Sequence, residues 1–312
     1  MTKLVLVLDD VKSLAAIDFV SGFDVLEPFI LDNENWLTRR YIGTALFSKL
    51  ALVRTPESGG TETTDLYKDL LLIAQGIVIN RSLMQYIPEG QLDISENGIR
   101  ISTTETKKTA FPWQIEKLER RYLDASNEKI EQLLELLFEN DITEWKDSDI
   151  AKRIRGNFVN SAKQFDLYFS INESHRTFLS LASDISYIER VYLKTILGEA
   201  FFLELRDKVA KGEDKLPQSP SDNDKKYFTL FDLVRAAVVL LTANYCGSSL
   251  QRTDDIDQRA THAQQQLKEF LNTNASAQLF TTYFNSNKYT SPTTVITDGI
   301  DNSNLSGIFG AF

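Results

Sequence analysis

Eight positions in the first half of the chain return in the second half at one fixed spacing. Phe23, Leu26, Ile30, Glu34, Gly43, Ala45, Phe47 and Leu50 recur as Phe178, Leu181, Ile185, Glu189, Gly198, Ala200, Phe202 and Leu205, every pair 155 residues apart. Within each set the apolar residues follow helical spacing, so the recurrence is of a helical surface and its turn. A polar loop and an apolar helix follow in both halves, with Leu70 and Ala74 answered by Leu233 and Ala237. The pattern predicts an internal duplication: two similar helical modules within 312 residues, a length that suits two domains.

Along the chain, Leu4–Leu8 is rich in leucine and valine and ends at Asp9-Asp10, which predicts a short strand. Val25, Phe29, Trp36, Tyr41, Leu46 and Leu50 then give an apolar helical face, interrupted near Gly43, with Pro28 in the first turn. Residues 56–64 form a polar loop, and Leu66, Leu70, Ile73, Ala74, Ile77 and Val78 predict a buried helix. Residues 92–102 predict a β-hairpin, because Leu92, Ile94, Ile99 and Ile101 alternate with polar residues around Asn97-Gly98. One amphipathic helix through Trp113, Leu118 and Tyr122 and another through Ile130, Leu133, Leu134, Leu137 and Phe138 follow.

Periodicity lapses over residues 139–149, which places a boundary there. The second half begins with Phe165–Ile171, alternating like a half-buried strand. Residues 174–206 are helical, 216–224 are a loop, and Leu230–Tyr245 is a strongly apolar helix. Residues 255–272 predict a polar helix with Ile256, Ala263, Leu267, Phe270 and Leu271 inward. The expected architecture is mainly α. It has a first helical module over 1–150 with its hairpin, a second over 151–286, and an extended C-terminal arm over 287–312.

Composition narrows the function. Acidic residues outnumber basic ones 44 to 34, for a net charge of −10. That balance argues against a protein whose main task is coating DNA or an anionic membrane. A single cysteine, Cys246, cannot close an internal disulfide, and two histidines cannot build a His-rich metal site. The run Leu4–Leu8 is too short for a signal-peptide core, and Ala236–Ala243 falls far below the roughly 20 residues of a bilayer span. A soluble chain made in the cytosol is expected.

Signatures of catalysis are missing from the sequence. There is no GxxxxGK[ST], no GxGxxG after a strand and no GxSxG, and Gly59-Gly60 has no following lysine. His175 stands at a helix start and His262 among glutamines, so both are expected at the surface. The carboxylate groups Asp9-Asp10, Asp147 with Asp149, and Asp254-Asp255 with Asp257 stand where a strand ends or a helix begins. There they favour the helix dipole, and none has the spacing of a calcium loop. Cys246 closes an apolar helix and is expected in the core. The basic runs Glu116–Tyr122 and Lys152–Arg155 are expected as solvated faces or subunit contacts.

The C-terminal arm is the anomaly. Leu305, Ile308, Phe309 and Phe312 follow a long, mostly polar stretch. Burying each is worth roughly 1.5–3 kcal/mol. Either the arm folds back on its own domain or it reaches a neighbouring subunit, since 15 extended residues span on the order of 50 Å.

The run Asn172-Glu-Ser-His-Arg-Thr-Phe178, the later Ile188-Glu189 and Leu197-Gly198, and the Ile-Phe-Gly-Ala-Phe ending resemble an uncharacterised family of virion proteins in phages and prophages of Bacteroidota hosts. The succession of helix, glycine turn and apolar helix is similar to head–tail connector adaptors. That resemblance implies a non-enzymatic ring of copies between portal and tail, without cofactor or metal and away from membranes. Its partners would be portal and neighbouring tail proteins, with DNA passing through the lumen. It also implies a place in the virion neck after synthesis in the host cytoplasm, and Leu305, Ile308, Phe309 and Phe312 as partner-binding residues. The hairpin and the double module depart from single-module adaptors. Two alternatives stand beside it: a collar or baseplate component of a contractile injection system, and a metal-dependent hydrolase using Asp254, Asp255 and Asp257.

Overall fold

The computed structural model describes residues 3–15, 22–54, 65–90, 110–247, 250 and 255–292, and the backbone of 92–95 and 98–101. These residues are mainly helical. Two compact units, 1–186 and 187–312, divide the chain.

The first unit opens with an extended segment where the sequence predicts a strand. Leu4 and Val5 are fully buried, and no strand among the described residues partners them. Side chains replace the missing ladder. Glu34 accepts both amides, from Leu4 at 2.7 Å and Val5 at 3.1 Å, and Gln75 Nε2 donates to the Leu4 carbonyl at 2.7 Å. Asp10 accepts the amides of Leu6 and Val7 and pairs with Arg54, so this acidic residue serves the start of helix α1 (Leu8–Leu14).

Helix α2 (Phe23–Leu37) buries Leu26, Ile30 and Leu37; Val25 instead faces solvent. Pro28 lies in its second turn, one turn later than expected, because Gly22 is the N-cap. The helix widens into a π-helical segment, π1 (Thr38–Ile42), and breaks at Gly43 (φ +77°, ψ 165°), a region open essentially to glycine alone. Helix α3 (Gly43–Arg54) follows. Helix α4 (Asp65–Glu89) is buried nearly all round between Leu70 and Leu83, as the central helix of a bundle must be.

Strands β1 (Leu92–Ser95) and β2 (Gly98–Ile101) pair antiparallel, Leu92 opposite Ile101; Asn97 lies outside the described residues. The two expected helices beyond them are one, α5 (Pro112–Glu139), which packs along α4 through Tyr122, Ile130, Leu133, Leu134 and Leu137. The short α6 (Thr143–Lys146) carries the buried Trp145, whose Nε1 donates to the Tyr41 carbonyl in π1 at 2.9 Å.

Residues 151–186 pack with the first unit. The sequence boundary at 150 falls inside helix α7 (Asp149–Arg155) and ahead of α8 (Ala162–Asp166) and α9 (His175–Ile188), most of which belongs to the first unit. The physical link is aromatic and polar. Phe178 packs edge-on against Phe138 and Phe165, and Glu131 of α5 accepts the amides of His175 and Arg176. Phe165–Ile171, expected as a strand, is helix α8 and the turn after it. Asp166 accepts the amides of Ile171 and Glu173 there, across left-handed Asn172 and Glu173.

In the second unit, π2 (Glu189–Leu193) and α10 (Lys194–Leu197) end at Gly198 (φ +77°, ψ 156°) and lead into α11 (Glu199–Ala210). The central helix α12 (Asp222–Tyr245) starts with a capping box between Ser221 and Asp224 and buries Val234 and Ala237–Ala243. Helix α13 (Ile256–Asn274) packs along it through Ile256, Ala260, Ala263, Leu267 and Leu271. The last helix, α14 (Thr281–Phe284), adds Tyr283 beside Phe201, and Phe280 fills the space between Tyr227, Phe201 and Phe270. Cys246 is buried at the end of α12, as expected. Helices α4 and α12 are long and apolar enough to cross a membrane by composition, and in each more than half of the apolar window is buried inside the protein.

Candidate interaction surface

Three solvent-facing surfaces concentrate tryptophan, tyrosine and arginine. The first lies where α2 passes into π1. Asn33 is buried and its amide donates to the Phe29 carbonyl (2.8 Å) and to Gln85 Oε1 (2.7 Å), while its oxygen accepts Arg81 Nε at 3.2 Å. That network sets the Arg81 guanidinium 3.7 Å over the Trp36 ring, which meets Tyr41 edge-on at 5.2 Å. Arg39, Arg40, Asp32 and Asn35 complete a depression of about 630 Å³ around Trp36. Burial lowers the Arg81 pKa from its ordinary value; Tyr41 opposes that shift, and the like charge of Arg40 adds a smaller lowering.

The second surface occupies the matching place in the second unit. Val191 stands where Trp36 does, and Tyr187 where Asp32 does, at the same 155-residue spacing. Tyr187, Val191, Tyr192 and Tyr245 are all exposed, Tyr245 by 56%. Tyr187 packs 5.4 Å from Tyr245 and edge-on to Tyr192 at 6.3 Å. At its rim, Asn244 donates to Asp257 at 3.1 Å.

The third is the first half of α5. Phe111 and Trp113 are exposed, Trp113 by 62%, and Trp113 with Lys117, Leu118, Arg121 and Asp124 borders a groove of about 740 Å³. The basic run Glu116–Tyr122 therefore lies on an open face until Tyr122, which is buried.

Other residues singled out in the sequence fall elsewhere. His175 is buried, against the surface position expected. It sits 5.2 Å from the Phe138 ring with Nδ1 3.2 Å from Glu131, because α9 starts against α5. His262 is exposed. Ser148 caps α7 between Asp147 and Asp149, accepting from the Ala151 amide. Lys152, Arg153 and Arg155 face solvent while Ile154 is buried between them. Asp254 lies outside the described residues, and no cluster of metal-binding side chains occurs among the described ones. Leu305, Ile308, Phe309 and Phe312 also lie outside them. Sequence periodicity placed Trp36 on the buried face and passed over Arg81 and the three tyrosines. The fixed offset between the halves was the signal that would have set these positions side by side.

Fold and surfaces thus define a mainly helical protein of two units whose distinctive features are open faces rich in tryptophan, tyrosine and arginine. The chain matches the family of unknown function DUF6712 over residues 39–155 and 248–293, just over half its length, and belongs to that family. Those segments take in α3–α7 and α13–α14. No curated protein and no solved structure matches the chain.

Proposed function

We propose that this chain is a non-enzymatic structural protein of a virion, an adaptor that joins the portal vertex to the tail as a ring of copies. The observation that carries the reading is the set of three open surfaces presenting Trp36, Trp113, Tyr187, Tyr192 and Tyr245 beside arginines. These residue types dominate the energetics of protein–protein contacts.

Two further features support it. A bundle with a buried central helix, a π-helical segment and a glycine break occurs in both halves, Gly43 and Gly198 with the same φ. This favours an internal duplication, a common way to build a repeated contact. The arm with Leu305, Ile308, Phe309 and Phe312 would add a partner contact to portal or tail proteins, and a negatively charged chain suits a lumen through which DNA slides.

Electron cryomicroscopy of particles containing this chain tests the reading. A rotationally symmetric ring at the neck is the expected result. Particles in which the chain is absent, or lies away from the portal vertex, would overturn it.

A further inference from the structure

The first two surfaces differ in chemistry and complement each other. Around Trp36, the guanidinium groups of Arg39, Arg40 and Arg81 have no carboxylate partner among the described residues, and Arg81 is already held over an aromatic ring by Asn33. Around Val191, three tyrosine rings face solvent and their hydroxyls make no hydrogen bond among the described residues.

We propose that the Trp36–Arg39–Arg40–Arg81 face of one copy docks on the Tyr187–Val191–Tyr192–Tyr245 face of a second copy, head to tail. The inference rests on the adaptor reading and names the contact by which copies would associate.

Guanidinium groups stack on aromatic faces, and tryptophan, tyrosine and arginine form the centres of such contacts. The remaining charges also match. Asp32 is the acid on the arginine face. On the tyrosine face Lys194 is engaged by Glu199 at 2.6 Å, which leaves Arg190 as the cation facing Asp32. Asp257, which accepts from Asn244, the chain neighbour of Tyr245, offers a carboxylate to the arginines. Because the two faces differ, the contact is heterologous. Each copy keeps one face open for the next, and repetition closes a ring or extends a filament.

DNA is the less suitable occupant of the arginine face. Arg81 covers the Trp36 ring on which a base would stack, the whole chain carries −10, and a nucleic-acid site would leave the tyrosine face without a role.

The test is light scattering on the full chain across a concentration series, with two surface variants, Arg39→Glu with Arg40→Glu, and Tyr192→Ala with Tyr245→Ala. All four side chains are exposed, and circular dichroism checks that each variant folds; Arg40→Ala and Tyr245→Ser replace either one that does not. The expected result has three parts. The unaltered chain gains mass with concentration, each variant weakens self-association by at least about tenfold, and an equimolar mixture of the two variants recovers a 1:1 dimer that grows no further. A chain that stays monomeric at every concentration, variants that assemble like the parent, or a mixture that fails to pair would each overturn the proposal. So would loss of duplex-DNA binding in the arginine variant with self-association unchanged, which would assign that face to nucleic acid. If assembly persists through another surface, this contact fails while the adaptor reading stands. If the chain is missing from the particle neck, the adaptor reading fails while the contact is still measured in solution.

Discussion

Gly43 and Gly198 hold the same backbone conformation, φ +77° with ψ 165° and 156°, each at the same distance in sequence after a buried glutamate, Glu34 or Glu189. The shared geometry turns the chain from a π-helical segment or its extension into the next helix of the bundle. Side chains are excluded for the same reason at both places, with unequal consequences.

Substituting either glycine by alanine forces an L-residue into a region nearly closed to it, at about 1–3 kcal/mol. At Gly43 the new Cβ would also stand 2.9 Å from the Ser148 Cβ, whereas at Gly198 its nearest neighbour is the flexible Lys288 side chain at 3.4 Å. Gly43→Ala is therefore expected to lower the unfolding midpoint more than Gly198→Ala. Thermal and urea unfolding check the order, and equal losses would contradict the steric argument.

Burial pushes the Glu34 pKa above the ordinary carboxyl value of 4.5, against the lowering effect of the Val5 and Leu4 amides and of Lys3. An acid whose pKa is raised by folding contributes stability below its unfolded pKa and loses it as pH rises through the folded one. Glu34→Gln keeps an oxygen for both amides and has no charge to bury. The variant is expected to gain stability relative to the parent as pH rises from 4.5 toward neutrality. Urea midpoints measured in parallel across that range report the crossover.

Tyr67 donates to Glu144 at 2.7 Å, and burial together with that carboxylate pushes its pKa up to about 12. Tyr227 is pushed up to about 12 by burial and by Glu204, at a longer 3.4 Å. Both contributions to stability are complete below the ordinary tyrosine value of 10 and are lost as pH rises from there to about 12. Tyr67→Phe is expected to cost about 1 kcal/mol at neutral pH, and Tyr227→Phe less, since Glu204 also accepts from Thr282 at 2.6 Å. Absorbance titration should show one fewer late-ionising tyrosine in either variant than in the parent.

Glu131 joins α9 to α5 by accepting the Ser174 hydroxyl at 3.1 Å, the His175 amide and the Arg176 amide at 3.2 Å. Glu131→Ala leaves those donors without their acceptor and is expected to cost about 1–3 kcal/mol. Hydrogen exchange would quicken in the first turn of α9, with α12 unchanged. Glu131→Gln, which still accepts hydrogen bonds, should lose less.

Periodicity alone located the central helices, since a helix rich in apolar residues on every side, such as Leu70–Leu83, has to be covered by others. It also placed the break at Gly43, but it read residues 174–206 as one helical stretch where Gly198 interrupts it. It misassigned Leu4–Leu8 and Phe165–Ile171 as strands because local alternation carries no information about what will accept a backbone amide. Glu34 and Gln75 accept and donate for the first segment, and Asp166 for the second, from positions remote in sequence or across a turn. The break imagined between Tyr122 and Ile130 does not exist; one face of α5 continues along α4 while its first turns project into solvent.

The sequence by itself determined a mainly helical chain with a helix break at Gly43, because amphipathic spacing and a glycine's freedom at positive φ act locally. Only the tertiary structure decided that His175 is buried against Glu131, that α7–α9 pack with the first unit, and that Trp36 carries Arg81 while Tyr187 gathers Tyr192 and Tyr245. Those outcomes depend on which surfaces meet across long stretches of chain, where a single hydrogen-bond acceptor or aromatic ring decides which of two helix faces is covered.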